Sequence, residues 1–505
     1  NSLCLQHRVL PAWSDNPRNE SSFRLQKPFS FGNFSTPWLK NADEPSRKAA
    51  VVLKSGKGSS EWILSENESS PRFEQHARKG SFCFLPISAN NSEEFLKKLG
   101  ELEKDPELLE YPKNFQYRAF QDFQNTDAGF SIVLLAENPS KLKEEIIQAQ
   151  KSVSRCFEDG KDWQTPSGSY FTNKLLGQEK IAFVYPGGFN TYVGSGNSLF
   201  EMDPELHERS LSYSSKIKTL LHPEFLFPQS PSIQSEEELK QLQQQFYDSP
   251  NPMFESGISS AVLATQVMRN AFGIEPHAAF GYSMGEVSML FSLGVWGSMD
   301  PMSEVLNASP LFHERIAGPM NSVREYWKLK DTDFQNESLW NWYTLRAEPE
   351  LVAKALEKSE RVYLVLINTP QEVVIAGEPS ACKELIEELQ CESHEIPVTD
   401  VVHCPPVQSE YEEIKKVHTN KVVDKPKVDF FSAADYTTTS LDSEILADNI
   451  ARFYGRTVDF SKLVEEVYRS GARIFIDMGP RSSCARWISE NLENRPHLSL
   501  GINRK

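Results

Sequence analysis

The chain has no apolar run approaching the ~18 residues that a membrane-spanning helix needs, so no transmembrane segment is expected. Its seven cysteines are odd in number and no two form a Cys-x-x-Cys pair. Neither a disulfide framework nor a zinc ribbon is indicated, no metal centre is expected, and a reducing cytoplasm is the compartment that fits. Neither Gly-x-x-x-x-Gly-Lys-Ser/Thr nor Gly-x-Gly-x-x-Gly occurs, which excludes the usual phosphate-binding loops. Basic residues are in the minority, 53 Lys and Arg against 70 Asp and Glu, for a formal net charge of −17. The longest basic group, Lys415-Lys416-Val417-His418, is short and follows Glu412-Glu413, the pattern of a solvated helix face. Nucleic acid is therefore not an expected partner, because phosphate binding needs clustered Lys and Arg. The first residues, Asn1 to His7, carry no signal-peptide pattern and do not begin with Met, so the start reads as part of a longer, multidomain chain.

With 505 residues and 39% hydrophobic content, the chain has material for two to four domains on a prior of roughly 100–200 residues each. Residues 1–78 are rich in Ser, Asn, Pro and Lys, with isolated apolar anchors such as Pro37-Trp38-Leu39, and read as a strap packed on a neighbour. Residues 79–177 read as a small α+β unit. The strand at 82–87 precedes a helix capped by Ser92, and the strand at 129–136 precedes a helix capped by Ser140. From 178 onward strand and helix alternate, which implies parallel strands with crossover helices. A long helical stretch at 235–272 is broken around Pro250 to Gly257. The strands 362–367 and 372–376 read as a hairpin inside an α+β insertion.

The chemistry concentrates in Gly281-Tyr282-Ser283-Met284-Gly285, between the apolar run His277-Ala278-Ala279-Phe280 and the helix-like run from Glu286. A serine flanked by glycines at a strand-to-helix turn matches the nucleophile elbow. The helix that begins there aims free N–H groups at the place where an oxyanion forms. A serine hydroxyl needs a base. His403 is the candidate, delivered by an apolar run to the proline-stiffened loop His403-Cys404-Pro405-Pro406, with a backbone carbonyl as a possible acceptor for its second ring nitrogen. Pro186-Gly187-Gly188 ends the first strand of the large domain, where ligands bind in open α/β sheets. The Gly188 N–H is a candidate second oxyanion donor beside that of Met284.

In order along the chain, Ile181 to Gly188, the elbow at 281–286, Ile367 to Gly377 with Asn368-Thr369-Pro370, Val402-His403 and Ile474 to Pro480 resemble the motifs of the acyltransferase domains of fatty acid and polyketide synthases. Gly294-Val295-Trp296, Ser309 to Phe312 and Ser322 to Trp327 are similar to the acyltransferases of polyunsaturated fatty acid and heterocyst glycolipid synthases. The resemblance implies an α/β fold: an α/β-hydrolase-like parallel-sheet core over 178–505 carrying a ferredoxin-like subdomain at about 310–400. It also implies a linker domain over 79–177, and a ketosynthase-like or chain-length-factor-like tail over 1–78. It implies that Ser283 accepts the acyl group, that His403 is its base, and that Gly188 and Met284 form the oxyanion hole, with Gly187 and Asn368 lining the site. The donor would be acyl-CoA and the acceptor the phosphopantetheine thiol of an acyl carrier protein. No bound cofactor is implied, and ketosynthase or chain-length-factor domains of the same synthase would be partners.

Two departures from the family pattern bear on substrate. The family's glutamine after Pro-Gly is here Gly188. Malonyl-specific members carry an arginine about 25 residues after the serine that pairs with the free carboxylate; an ungapped count reaches Ala308, and the next arginine is Arg315, so the resemblance implies that these two positions also line the substrate site. A neutral, even long, acyl group is therefore expected over malonyl, because a buried carboxylate without a partner is costly. Two other readings share these residues: a thioesterase using the same Ser283–His403 pair, and a non-catalytic scaffold domain.

Overall fold

The computed structural model describes residues 9–10, 31–32, 36–55, 58–66 and 83–503, the last stretch without 175, 177–178, 204, 231–234, 331–333, 335–337 and 399. The remaining parts of the 1–78 strap lie outside the described residues. The chain divides into two compact units, residues 73–178 and residues 1–72 together with 179–505.

In the smaller unit four antiparallel strands run in the order Cys83–Ala89, Phe130–Ala136, Tyr170–Phe171, Trp163–Gln164. Leu85, Ile132, Leu134 and Phe171 join Phe95 and Leu99 of the helix Ser92–Lys104 and Leu142 and Ile146 of the helix Pro139–Asp159 in one core. The caps differ from the sequence expectation. Asn91 and Asn138, not Ser92 and Ser140, accept from the Glu94 and Lys141 N–H groups at 3.0 Å. Asn caps as well as Ser, and Pro139 takes the first helical position, where its missing N–H costs nothing.

The larger unit is built on a sheet in the order Thr437–Thr438, Asp429–Ser432, Ala278–Gly281, Lys180–Tyr185, Ala472–Pro480, Leu498–Asn503. All neighbours are parallel except the short edge strand Thr437–Thr438. The three central strands are almost wholly apolar and buried, as strands covered on both faces must be. The register pairs Tyr185 with Gly281, so the Pro186–Gly188 loop and the serine turn leave the sheet side by side. The helical break falls at Asp248-Ser249, shorter than expected. Glu236–Tyr247 begins at a Ser235/Glu238 capping box and ends at Asp248, and Pro250 opens the helix Pro250–Asn270. Leu39 packs with Leu206, Ile217 and Leu221 of this unit, so this anchor of the strap shares its core.

The insertion forms a four-stranded antiparallel sheet, Ser393–Ile396, Asn341–Leu345, Glu372–Gly377, Val362–Thr369, with the helices Pro349–Leu356 and Pro379–Leu389. Its βαββαβ order gives the ferredoxin-like arrangement. Val458–Asp459 extends this sheet in parallel beside Val362–Thr369. Glu372 fixes the subdomain to the core: its carboxylate accepts from Trp487 Nε1 at 2.6 Å, Arg486 Nη1 at 3.0 Å and Asn368 Nδ2 at 3.0 Å. Replacing Glu372 by Ala leaves the buried Trp487 and Asn368 donors without their acceptor and should cost roughly 1–3 kcal/mol. Thermal unfolding of Glu372→Ala should therefore show a lowered midpoint, and an unchanged midpoint would contradict the role given to this carboxylate.

Candidate active site

Ser283 sits where the strand Ala278–Gly281 turns into the helix Gly285–Ser292, with its backbone in the left-handed region at φ 57°. The flanking glycines are steric necessities. A β-carbon at Gly281 would lie 2.0 Å from the Glu286 nitrogen, and one at Gly285 would lie 1.9 Å from the Tyr185 carbonyl oxygen. Below the turn, Glu286 is fully buried and accepts from the Ser432 hydroxyl at 2.7 Å and the Ala433 N–H at 3.1 Å. These bonds tie the serine helix to the next strand of the sheet. Burial pushes the Glu286 carboxyl up to about 7, against the pull of those two donors.

His403 reaches this turn from 120 residues away, and its Nε2 lies 2.7 Å from Ser283 Oγ. Its Nδ1 lies 3.0 Å from the Phe453 carbonyl oxygen. A carbonyl only accepts, so Nδ1 carries the proton and Nε2 is left as the base toward Ser283. The ring is 1% exposed, and burial pushes its pKa down to about 4, the Phe453 carbonyl opposing. The His403 backbone is also in the left-handed region at φ 61°, held by its N–H on the Tyr454 carbonyl at 2.6 Å.

Both groups open into a cavity of about 270 Å³. Gly187, Gly188 and Met284 line it beside Ser283, and the N–H groups of Gly188 and Met284 donate to no protein acceptor among the described residues. Two free donors beside a nucleophile suit a developing oxyanion. The outer wall is apolar: Phe254 and Phe312 come from the core, and Trp342, Leu366 and Val374 from the inner face of the subdomain sheet. Asn368 also lines the cavity, where its Oδ1 accepts from Tyr282 OH at 2.7 Å. A larger and more open groove of about 850 Å³, walled by Glu348, Asp435, Asp459 and Glu465, contains neither Ser283 nor His403 and takes no part in this chemistry.

No family model matches the chain. Over its full length it is 27% identical to a polyunsaturated fatty acid synthase polypeptide of Thraustochytrium sp., and it spans 26% of that protein. It is 23% identical over 57% of its length to a mycocerosic acid synthase-like polyketide synthase of Mycolicibacterium smegmatis, of which it spans 13%. Among solved structures, the acyltransferase domain from module 8 of the salinomycin polyketide synthase superposes with a TM-score of 0.62 at 18% identity, covering 84% of this chain and 92% of that one. A malonyl-CoA:acyl carrier protein transacylase of Xanthomonas oryzae superposes with a TM-score of 0.51 at 15% identity, covering 65% of this chain and 96% of that one. The chain has the fold of the polyketide synthase acyltransferase domains and is similar over its full length to part of a polyunsaturated fatty acid synthase.

Within this fold, Ser283, His403, Gly187, Gly188, Met284 and Asn368 meet around one cavity. Ala308 and Arg315 do not join them, which corrects the expectation that they line the substrate site. Ala308 is the exposed last residue of the helix Asp300–Ala308. Arg315 spends its guanidinium on Glu325, at 2.6 and 2.7 Å, and Glu410, at 2.7 and 3.0 Å. The ungapped count stops at Ala308, and it is Phe312, four residues further on in the π-helical turn Leu311–Arg315, that faces the cavity. Sequence reasoning also missed Phe453, which acts through a carbonyl that any residue supplies, and the rim residues Tyr247 and Arg481.

Two outcomes follow from this geometry. Gly285→Ala should abolish acylation of Ser283 while Gly188→Ala, whose β-carbon meets open space, should retain it. Intact-mass measurement after incubation with an acyl-CoA checks both; an active Gly285→Ala chain would contradict the packing. Because His403 stays neutral down to about pH 4, the base remains available through pH 5.5, where an ordinary imidazole of pKa 6.5 is mostly protonated. The rate of Ser283 acylation should therefore lose its acid limb well below pH 6.5, and a half-loss at pH 6.5 would contradict the buried dyad.

Proposed function

We propose that this domain moves an acyl group from acyl-CoA, through an ester on Ser283, to the phosphopantetheine thiol of an acyl carrier protein. The observation that carries the reading is the 2.7 Å contact between Ser283 Oγ and the uncharged Nε2 of His403, beside two unused N–H donors. In the first half-reaction Oγ attacks the thioester carbonyl as its proton passes to Nε2. The tetrahedral oxyanion is held by the Gly188 and Met284 N–H groups. Collapse breaks the C–S bond, and the CoA sulfur leaves with the proton from Nε2. The second half-reaction runs the same steps in reverse with the carrier thiol as nucleophile. A transient imidazolium in a buried site is costly, so the proton should move in concert with bond making rather than reside on the ring.

The acyl group favoured is neutral, and long chains are included. Phe254, Phe312, Trp342, Leu366 and Val374 present no charge to it, and Arg315 is occupied elsewhere. Burying a carboxylate against such a wall without a partner would cost several kcal/mol. The full-length likeness to part of a polyunsaturated fatty acid synthase supports a setting in iterative lipid synthesis, in the cytoplasm, with the domain working beside ketosynthase-like neighbours and residues 1–78 as the tail of one. The described helices include none long and apolar enough to cross a membrane.

The test is a panel of acyl-CoAs presented to the purified chain and to Ser283→Ala, read by intact mass. Fatty acyl donors should give an adduct on the wild type, none on Ser283→Ala, and load at least about tenfold faster than malonyl-CoA, the ratio that 1.4 kcal/mol supplies. Faster malonyl loading would overturn the neutral-acyl preference.

A further inference from the structure

Most of the described arginines of this unit are matched by a carboxylate, and Arg481 is not. Arg209, Arg269, Arg361, Arg452 and Arg486 each reach a carboxylate. Among the described residues no carboxylate meets Arg481. Its Nη2 donates to Tyr247 OH at 2.6 Å, and its guanidinium carbon lies 5.6 Å from the centre of the Tyr192 ring. A guanidinium has five N–H donors, and these contacts leave most of them unused. Arg481 is exposed yet lines the catalytic cavity, so it occupies the rim, and it is the only fixed cation on that wall among the described residues. Asp400 is the acid that lines the same cavity.

The backbone beneath it is built rigidly. Arg481 and the next residue, Ser482, both lie in the left-handed region, at φ 70° and 55°. Two consecutive non-glycine residues in that region are costly and persist only where the surroundings determine them. Here Gly479 sits against the Pro186 ring, so closely that a β-carbon would lie 2.0 Å from Pro186 Cγ. Asp477 accepts from the Gly479 and Ala485 N–H groups at 3.1 Å each, bracketing the turn. Ser482 Oγ donates to the Asn503 carbonyl at 3.1 Å, and Ser483 Oγ to Asn190 Oδ1 at 3.2 Å. Asn190 in turn donates to the Gly187 carbonyl at 3.1 Å, so the turn that carries Arg481 is linked directly to the oxyanion loop.

We propose that Arg481 is the anion contact of this active site: its guanidinium, braced by Tyr247 and Tyr192, holds an oxyanion group carried by the thioester substrate. The inference rests on the acyltransferase reading above. Two groups have this chemistry, the phosphate of the pantetheine arm and the free carboxylate of a dicarboxylic acyl chain. The position at the exposed rim favours the phosphate.

The test uses the whole chain and three donors that separate the sources: butyryl-phosphopantetheine, butyryl-pantetheine and malonyl-pantetheine. Acylation of Ser283 is followed by intact mass against donor concentration for the wild type, Arg481→Ala and Arg481→Lys. With the phosphorylated donor, Arg481→Ala should raise the half-saturating concentration about 10- to 100-fold, as loss of one charged hydrogen-bond partner does. Its saturating rate, and its behaviour toward butyryl-pantetheine, should stay within about twofold of wild type. Arg481→Lys should recover part of the loss. A loss confined to malonyl-pantetheine would keep the contact and assign it to the acyl carboxylate. Equal losses on all three donors would make Arg481 a structural brace and overturn the proposal, as would no loss on any. A wild-type chain that accepts none of the donors would overturn the acyltransferase reading itself, and this inference with it.

Discussion

The hydrogen bond between Ser283 and His403 is the constraint to which the rest of this domain is fitted. It joins two residues 120 positions apart, each held with a left-handed backbone at a cost of about 1–3 kcal/mol. Such strain persists because the neighbours leave no alternative. Gly281 and Gly285 let the serine turn pass against Tyr185 and Glu286. The Tyr454 and Phe453 carbonyls take both the backbone and the ring proton of His403. The same burial that fixes the imidazole keeps it neutral. That neutrality is what makes it a base, and the carbonyl partner, in place of a carboxylate, avoids placing a second buried charge beside it.

The ferredoxin-like insertion completes the site. Its sheet turns Trp342, Leu366 and Val374 toward the nucleophile, and Asn368 at the end of one strand accepts from the tyrosine immediately before Ser283. Glu372 then links Asn368 to Trp487 and Arg486 on the helix Ser483–Asn491. One chain of hydrogen bonds therefore runs from the residue beside the nucleophile, through the subdomain hairpin, to the last helix of the core. The helix that follows Pro480 also carries the Arg481 turn at its start. The apolar wall, the Pro186–Gly188 loop and the rim cation are thus held by elements that touch one another directly, which would suit a reaction that depends on fixed donors.

The dyad and the strands that deliver it were legible in the sequence because their signals are local. The elbow demands glycine at fixed places, buried parallel strands read as apolar runs, and a hairpin separated by Asn368-Thr369-Pro370 announces its own turn. The helix caps were off by one or two residues because Asn and Ser cap equally well. Ala308 and Arg315 were misplaced because a position counted along the chain does not say which side chain faces the cavity; Ala308 is exposed at a helix end, Arg315 is held by Glu325 and Glu410, and Phe312 between them faces inward. Phe453 left no trace, since its contribution is a carbonyl. Arg481 follows Gly479-Pro480, a motif legible in sequence, but that no carboxylate among the described residues meets it is visible only in the structure.

The central claim is that Ser283 holds an acyl group for a thiol rather than for water. It is tested most directly by isolating the acylated chain, free of CoA, and following loss of the adduct by intact mass with and without a phosphopantetheinylated acyl carrier protein. The account predicts that the adduct persists alone, and that on adding carrier it is lost rapidly while the carrier gains the same acyl mass. Loss at one rate in both cases, with free acid as the product, would make the domain a hydrolase and contradict the account.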